Sequence, residues 1–469
     1  MLDQKVLIAC AFLALGACAS PPERPIPVQP APDQWARVDS TENMSDGWLA
    51  KLDSPALSAL AAEAIQNNYE LAQSRAQLEQ AQQTLYATRA DLLPTLSAGL
   101  NGSRRRNVIN IISGQQLEQS LTFENFSLGA SLRWQPDIWG QFTNATKAAA
   151  YTYAAREAAY LDTRRRLIGE LAIAWYTWLE AQALHAVALD QRDNAEQSLD
   201  IVENGYRQGL NEAVDLYSAR STFAQQQGNV AAALQSRLET AAALQVLSAR
   251  YPDGDIDFNA TLEWQDLEFG TGVPAEIIAR RADLQLAWLE LLSANADVAV
   301  AHRQRFPAFT ISADIDDESG VFSDVFDVDP LSWSILGGLA QPLFSGGRLL
   351  ANQRRAEARA VELEQRYLQL VNTAFSEVEN AISNDRALAN QYNAAVQQRD
   401  NADEALRLSL QQYQRGLSTY TAVLQSQQLA FDARGNVVRL NAQRLRNRIN
   451  LYVALGSDDT PQTGEDASP

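Results

Sequence analysis

Two 24-residue stretches of the chain, Leu71 to Pro94 and Leu284 to Pro307, run in register at an offset of 213. Each is Ala-rich and helical in character, closes on a proline, and leads into a strand-like segment, Thr95 to Ser103 or Ala308 to Asp316. The correspondence continues: Gln135-Pro136 matches Gln341-Pro342 at an offset of 206, and Tyr206-x-x-Gly209-Leu210 matches Tyr413-x-x-Gly416-Leu417 at 207. A repeat of this size means one supersecondary unit used twice, so the fold is built from two like halves. The shortening falls between the prolines of each half, 42 residues from Pro94 to Pro136 against 35 from Pro307 to Pro342. Length varies most readily in exposed loops, which places loops at the tips of these segments.

Between the prolines the pattern has period two. Phe126, Leu128, Ala130, Leu132 and Trp134 share one face, and Ser127, Gly129, Ser131, Arg133 and Gln135 the other. Phe309, Ile311, Ala313 and Ile315 alternate with Thr310, Ser312, Asp314 and Asp316; Leu96, Ala98 and Leu100 oppose Ser97, Gly99 and Asn101; Trp333, Ile335 and Leu339 form a fourth apolar face. Each segment approaches the roughly 9 to 11 residues a tilted strand needs to cross a bilayer. Two hairpins packed on a soluble core would show the same alternation, but nothing else in the chain offers a sheet for them to join. Four strands cannot close a barrel, and open edges are costly in lipid because each unpaired N–H or C=O there costs several kcal/mol. Several chains must then share one barrel: two copies give eight strands and a filled interior, three give twelve and a lumen.

The remainder is helix of unusual length. Leu349 to Arg415 is 67 residues without Gly or Pro, and Gln141 to Asn204 is 64 with only Gly169. Each would extend about 100 Å at 1.5 Å per residue. Leu363, Tyr367, Leu370, Ala374, Val378, Ala381, Leu388, Tyr392, Ala395, Ala402 and Leu406 follow a 3-and-4 spacing, with Asp385 and Arg399 on the same stripe. So narrow and Ala-rich a stripe is a coiled-coil seam. Gly209 and Gly416 mark turns, since glycine closes a helix in the left-handed conformation.

Charge and composition exclude several functions. Lys plus Arg total 38 and Asp plus Glu 57, a net charge of −19, the wrong sign for neutralising phosphates and hence for binding nucleic acid. Two His, His185 and His302, and two Cys, Cys10 and Cys18, are too few for a His/Cys metal site or a disulfide framework. No Gly-x-Ser-x-Gly motif is present, so no enzyme and no cofactor are expected. Lys5 and the apolar run Val6 to Ala17 read as a signal peptide, residues 1–17, too short to span a membrane. Leu15-Gly16-Ala17-Cys18 looks like a bacterial lipobox, making Cys18 the acylated first residue of a palmitate-bearing lipoprotein. Residues 18–53 then form the anchor and a spacer, with six prolines between Ser20 and Asp33. Residues 54–251 are the first repeat with hairpin 94–136, and 252–273 a linking segment with turns at Asp253-Gly254-Asp255 and Gly270-Thr271-Gly272. Residues 274–456 are the second repeat with hairpin 307–342, and 457–469 a disordered tail.

With these residues in place the chain resembles a TolC-type outer-membrane factor, in particular the lipoprotein branch of OprM- or NodT-like efflux channels. The resemblance rests on Asp137-x-Trp139-Gly140 after the first hairpin, Pro342-x-Phe344-x-Gly346-Gly347-Arg348 after the second, and Tyr413-x-x-Gly416 at the second turn. Arg280-Arg281-x-Asp283-Leu284 also matches, with Ala282 where the family has proline. Together with the repeat, these four motifs cover about residues 50 to 456. The resemblance implies a mostly α fold with a transmembrane β-barrel: four strands per chain in a twelve-stranded trimeric barrel, a long α-helical periplasmic tunnel and a mixed equatorial belt. It implies a homotrimer in the bacterial outer membrane, anchored by lipid and extending into the periplasm. There it would act as a passive duct for a periplasmic adaptor and an inner-membrane pump. An envelope coiled-coil lipoprotein without a pore is the rival reading; it leaves the hairpins unexplained.

The family closes its periplasmic tip at the two helical turns, with a Tyr on the second contacting polar groups, including an Asp, on the first. Those positions correspond here to Tyr413 and Asp215, placed by their spacing from Gly416 and Gly209. The family's gate Arg is replaced by Ser418, and its two constriction aspartates by Ala422 and Gln425. Arg207 and Arg415 lie close by in sequence as substitute partners for Asp215, or as complements to a helix dipole. Other motifs read as structure. Ser345-Gly346-Gly347-Arg348 is a turn; Asp314, Asp316, Asp317 and Glu318, where strand passes into loop, read as a solvated extracellular loop rather than a cation site; and Arg104-Arg105-Arg106, at the far end of the first strand, reads as a solvated loop edge, with contact to anionic lipopolysaccharide as the alternative. Arg164-Arg165-Arg166 points around a helix, and the two histidines have no evident ligand partners.

Overall fold

The computed structural model describes residues 31–36, 46–111, 117–256, 258–264, 270–327 and 331–457, with the side chains of 109–119 left aside. Cys18, the signal peptide, most of the Pro-rich spacer and the tail beyond 457 lie outside the described residues. In chain order the elements are α1 (Trp48–Lys51), α2 (Pro55–Asn67), α3 (Tyr69–Ala90), β1 (Thr95–Ile111), β2 (Leu117–Trp134), α4 (Gln141–Arg207) and α5 (Ala213–Leu247). There follow α6 (Pro274–Arg280), α7 (Ala282–Arg303), β3 (Ala308–Ser319), a 3₁₀ turn (Phe322–Phe326), β4 (Ser332–Ala340), α8 (Arg348–Gln414) and α9 (Tyr420–Leu455). Among the described residues no helix is long and apolar enough to cross a membrane. The chain divides into two compact units. One takes Leu78–Arg156 and Ala287–Tyr367; the other takes the remaining described residues.

The first unit carries an antiparallel sheet in the order β1-β2-β3-β4. Pairing of Leu100 with Leu128, Ala130 with Ile315 and Ile315 with Trp333 brings the alternate apolar residues of all four strands to one face. Ser97, Ser131, Asp314 and Ser334 follow one another across the other face, where the Ser97 and Ser131 hydroxyls lie 2.8 Å apart. The apolar positions of β2 from Phe126 to Trp134 are eight residue steps apart, about 27 Å at ~3.4 Å each, or about 21 Å when the strand tilts by ~40°.

The strands run beyond that band, which corrects two expectations. Arg104-Arg105-Arg106 belongs to β1, paired with Glu124, Phe123 and Thr122, and β3 continues past Asp316 through Asp317 and Glu318 rather than giving way to a loop there. Alternation therefore splits both runs: Arg104, Arg106 and Asp317 share the face of Leu128, while Arg105, Asp314, Asp316 and Glu318 take the opposite one. The physical reason is that ladder hydrogen bonds hold strands together in water as well as in lipid, whereas hydrophobic alternation marks only the part in lipid.

The motif after the first hairpin is a helix start. The Asp137 carboxylate accepts from the Phe142 and Thr143 N–H groups at 3.0 and 2.7 Å and from the Thr143 hydroxyl at 2.6 Å, while Gly140 takes φ +77°. Burial works against its charge, but these bonds hold the Asp137 carboxyl below the ordinary range. The Trp139 indole donates to the Pro307 carbonyl at 2.7 Å and stacks on Phe306 with centroids 5.4 Å apart, tying the two hairpin bases together. Leu291, Ala294 and Val298 of α7 pack with Ala360 and Leu363 of α8.

In the second unit the core gathers Trp48, Leu57, Ile168, Leu171, Trp175, Leu244, Leu445, Ile449 and Tyr452. The seam of α8 buries Val371, Ala374, Val378, Ala381 and Ile382, with Val371 inward where Leu370 was expected. Asp385 on that stripe is met by Arg448, whose Nη2 donates to Oδ2 at 3.0 Å. Trp35 is buried, its indole N–H shared between the Thr271 and Gly272 carbonyls at 3.1 Å each, and the Ala36 N–H donates to Glu379 at 2.7 Å. The end of the spacer is thus seated on the body of this unit.

Arg281 explains the Arg-Arg-x-Asp-Leu motif. Its guanidinium bonds Asp283 twice, at 3.0 and 2.8 Å, Glu377 at 2.6 Å and the Ala454 carbonyl at 3.1 Å. Burial opposes ionisation of Asp283, but Arg281 outweighs it and holds the carboxyl below its ordinary value. That contribution to stability is therefore complete above the ordinary aspartate pKa and is lost as pH falls through the lowered one. Arg281→Ala is expected to destabilise the protein by roughly 3 kcal/mol, because it strands the Asp283 carboxylate, half-exposed Glu377 adding little; Arg281→Lys should recover little, lacking the forked donors. Thermal unfolding in detergent checks this: an unchanged midpoint for Arg281→Ala would show that the network contributes nothing.

Candidate gate at the helical turns

Both long helices end in the same way. The Gly209 N–H donates to Tyr206 O at 2.9 Å and the Leu210 N–H to Gly205 O at 2.9 Å; one repeat later the Gly416 N–H donates to Tyr413 O at 2.8 Å and the Leu417 N–H to Gln412 O at 2.9 Å. Gly209 and Gly416 have φ +74° and +70°, and a Cβ on either would meet nothing within 4 Å. Their requirement is thus the sign of φ rather than space. Gly205 differs: a Cβ there would lie 2.2 Å from the Asn211 side chain, whose amide donates to the Val202 carbonyl at 3.1 Å.

The returning helices then face each other through a small core of Val202, Leu216, Ala219, Tyr420 and Val423, with Leu199, Leu410, Tyr413 and Leu424 against it. Asp215 sits in the first turn of α5, where the helix dipole favours a negative charge. The Tyr413 hydroxyl donates to Asp215 Oδ2 at 3.5 Å, the outer limit of a hydrogen bond, and the Tyr413 ring lies 5.4 Å from that of Tyr420. Burial first, and the Glu212 charge second, push the Asp215 carboxyl above its ordinary value, against the bond from Tyr413. Burial and the Asp215 charge push the Tyr413 hydroxyl up to about 12, and burial does the same for Tyr420.

The structure thus brings Asp215 and Tyr413 together. Arg207 goes elsewhere: it bonds Glu203 at 3.2 Å, one turn back on its own helix, and Arg220 reaches the same carboxylate at 3.2 Å. Arg415 is exposed in the second turn, where Ser418 follows Gly416 by two residues. Ala422 is the counterpart of Asp215 at the 207-residue offset, so the acid stands in one turn only. Sequence reasoning missed Tyr420, Asn211 and Glu203. Glu203 was legible as the acid four before Arg207, whereas Tyr420 lies beyond the Gly416 turn, where helical spacing no longer relates it to Tyr413. Exposed apolar side chains crowd these ends: Leu210, Val214, Tyr217 and Leu417 are each about 70% accessible. Among the described residues no group of His, Cys, Asp and Glu is arranged to hold a metal ion.

Comparison with known proteins agrees with this architecture. The family model described as outer membrane efflux protein matches residues 60–250 and 273–457. The pyoverdine export outer membrane protein OpmQ of Pseudomonas aeruginosa is 29% identical over 469 residues, covering 97% of each chain. The cation efflux system protein CusC of Escherichia coli K12 is 28% identical over 465 residues, covering 96% of this chain and 99% of CusC. Among solved structures, CusC superposes with a TM-score of 0.83 at 25% identity over 93% of this chain and 99% of its own, and the outer-membrane channel OprN with 0.85 at 21% over 95% and 100%. The fold is accordingly mostly α, with four strands for a transmembrane β-barrel and helices for a tunnel, and the chain belongs to the outer membrane efflux protein family.

Proposed function

We propose that three copies of this chain close one twelve-stranded barrel in the outer membrane. The result is a passive duct through which an inner-membrane pump, joined by a periplasmic adaptor, exports its cargo. The observation that carries this is the open sheet. Its order leaves β1 and β4 as edges, every residue of β4 is exposed, and one face of all four strands is apolar. Lipid tolerates such a sheet only if each β4 pairs with the β1 of a neighbour. Three copies leave a lumen and two would not. In this reading residues 54–251 and 274–456 are two halves of the duct wall joined by 252–273. Leu210, Val214, Tyr217 and Leu417 give the adaptor an apolar surface at the helical turns, and Asp215 with Tyr413 forms the latch there. The pump selects the cargo: OpmQ and CusC bear the names of different exported substances, and this chain has Ala422 and Gln425 at the family's acidic constriction positions. The protein extracted in detergent is expected to run as a trimer and to conduct in a planar bilayer. A stable monomer, or a trimer without conductance under any condition, overturns the proposal and favours a pore-less envelope lipoprotein.

Cys18 is the anchor in this reading. Two or more acyl chains, each contributing about 0.8 kcal/mol per buried CH₂, tether the mature N-terminus, and Pro-rich chain links it to the seat of Trp35. The N-terminal peptide of membrane-extracted protein is expected to begin at Cys18 with diacylglycerol mass attached. An unmodified Cys18, or cleavage at another site, excludes the anchor.

A further inference from the structure

On β1 and β2 the apolar face of the sheet ends at Phe126. Phe126 pairs with Gly102 across β1 and β2, and its ring lies so close over Gly102 that a Cβ there would come within 3.0 Å. Phe322 meets Phe126 edge-on at 5.4 Å, and Phe326 meets Phe322 at 5.5 Å, both half exposed. A row of aromatic rings at the edge of an apolar band marks the boundary between hydrocarbon and headgroups. The next residues of β1 on that same face are Arg104 and then Arg106. Arg104 Nε bonds Glu124 at 3.1 Å while 76% of its side chain stays accessible; Arg106 is opposite Thr122 and donates to the Ser120 hydroxyl at 3.1 Å. Neither partner uses the five donors of a guanidinium, and both arginines stand where lipid phosphates lie. Asp317 is on this face too, but it pairs with Leu128, lower on the sheet than either arginine.

We propose that Arg104 and Arg106 form an outward-facing site for the phosphate groups of an outer-leaflet glycolipid, fixing the height of the barrel in the membrane. The proposal rests on the outer-membrane channel reading. Arg105 is its internal control: it carries the same charge one residue away, but strand alternation turns it to the polar face. Acyl chains lie along Leu100, Leu128 and Phe126, while guanidinium–phosphate bonds form beside the aromatic row.

The test uses the full-length trimer in lipid nanodiscs with bisphosphorylated lipid A as the probe and the same lipid without phosphates as comparison. Native mass spectrometry counts the lipid retained per trimer, and conductance is recorded from the same preparations. Wild type and Arg105→Gln are expected to retain the phosphorylated lipid equally. The double variant Arg104→Gln/Arg106→Gln should retain it on the order of tenfold less and no longer distinguish the two lipids. Glu124→Gln, which frees one edge of Arg104, should retain more. Retention at the wild-type level in the double variant, or an equal loss in Arg105→Gln, overturns the site while a conducting trimer leaves the channel intact. A chain that neither inserts nor conducts overturns both.

Discussion

Leu132→Arg is expected to abolish most trimer insertion, while Ser131→Arg, one residue away, leaves most of it. Leu132 is on the apolar face between Ala130 and Trp134, one alternate position from the centre of the Phe126 to Trp134 band. An arginine on the lipid face costs about 2–4 kcal/mol at the midplane and less toward either interface. About 2 kcal/mol is therefore reasonable here, and a trimer bears it three times. Ser131 is on the other face, bonded to the Ser97 hydroxyl and paired with Asp314, so an arginine there meets water and a carboxylate. Heat-resistant trimer on gels and protease protection in vesicles measure the difference. Greater damage from Ser131→Arg than from Leu132→Arg would mean that lipid and lumen faces are reversed.

That contrast was open to sequence reasoning because lipid imposes period two on a strand and a seam imposes 3-and-4 spacing on a helix. Where neither solvent boundary nor seam acts, the sequence is mute. Arg104-Arg105-Arg106 and Asp316-Asp317-Glu318 are runs of consecutive charges, so nothing in those residues distinguishes a ladder from a loop. The turn glycines were legible because only the left-handed region needs them. Arg207 misled for a different reason. Proximity in sequence to Gly209 suggested Asp215, but a helix places Glu203 four residues back on the same face, and that pair needs no tertiary contact. The Arg281 network joins Asp283, Glu377 and the Ala454 carbonyl, so only its Asp283 partner was near enough to show in the motif.

Tyr413→Phe is expected to open the periplasmic tip at neutral pH more than any other single change at the turns. It removes the hydroxyl from a carboxylate that burial and Glu212 already disfavour, leaving Asp215 charged, partly desolvated and without that donor. Losing the donor while a partly desolvated charge remains costs more than losing both. At about 1 kcal/mol per chain, a concerted opening of three chains shifts the closed-to-open ratio on the order of a hundredfold. Asp215→Ala with Tyr413→Phe removes both partners and should lie nearer to wild type. The pH dependence has a definite sign. If Asp215 and Tyr413 form the proposed latch, the raised pKa of Asp215 belongs to the latched state and returns to the ordinary value once the pair parts, so the latched state binds the proton more tightly. Acidification through the interval just above the ordinary aspartate value therefore favours closure, in wild type and more steeply in Tyr413→Phe. Asp215→Asn should abolish that response. Single-channel recording of each variant as a correctly inserted trimer decides it. If Tyr413→Phe conducts like wild type and keeps the same pH profile, the latch is not made of these two residues and closure depends on the packing of Val202, Leu216, Tyr420 and Val423 alone.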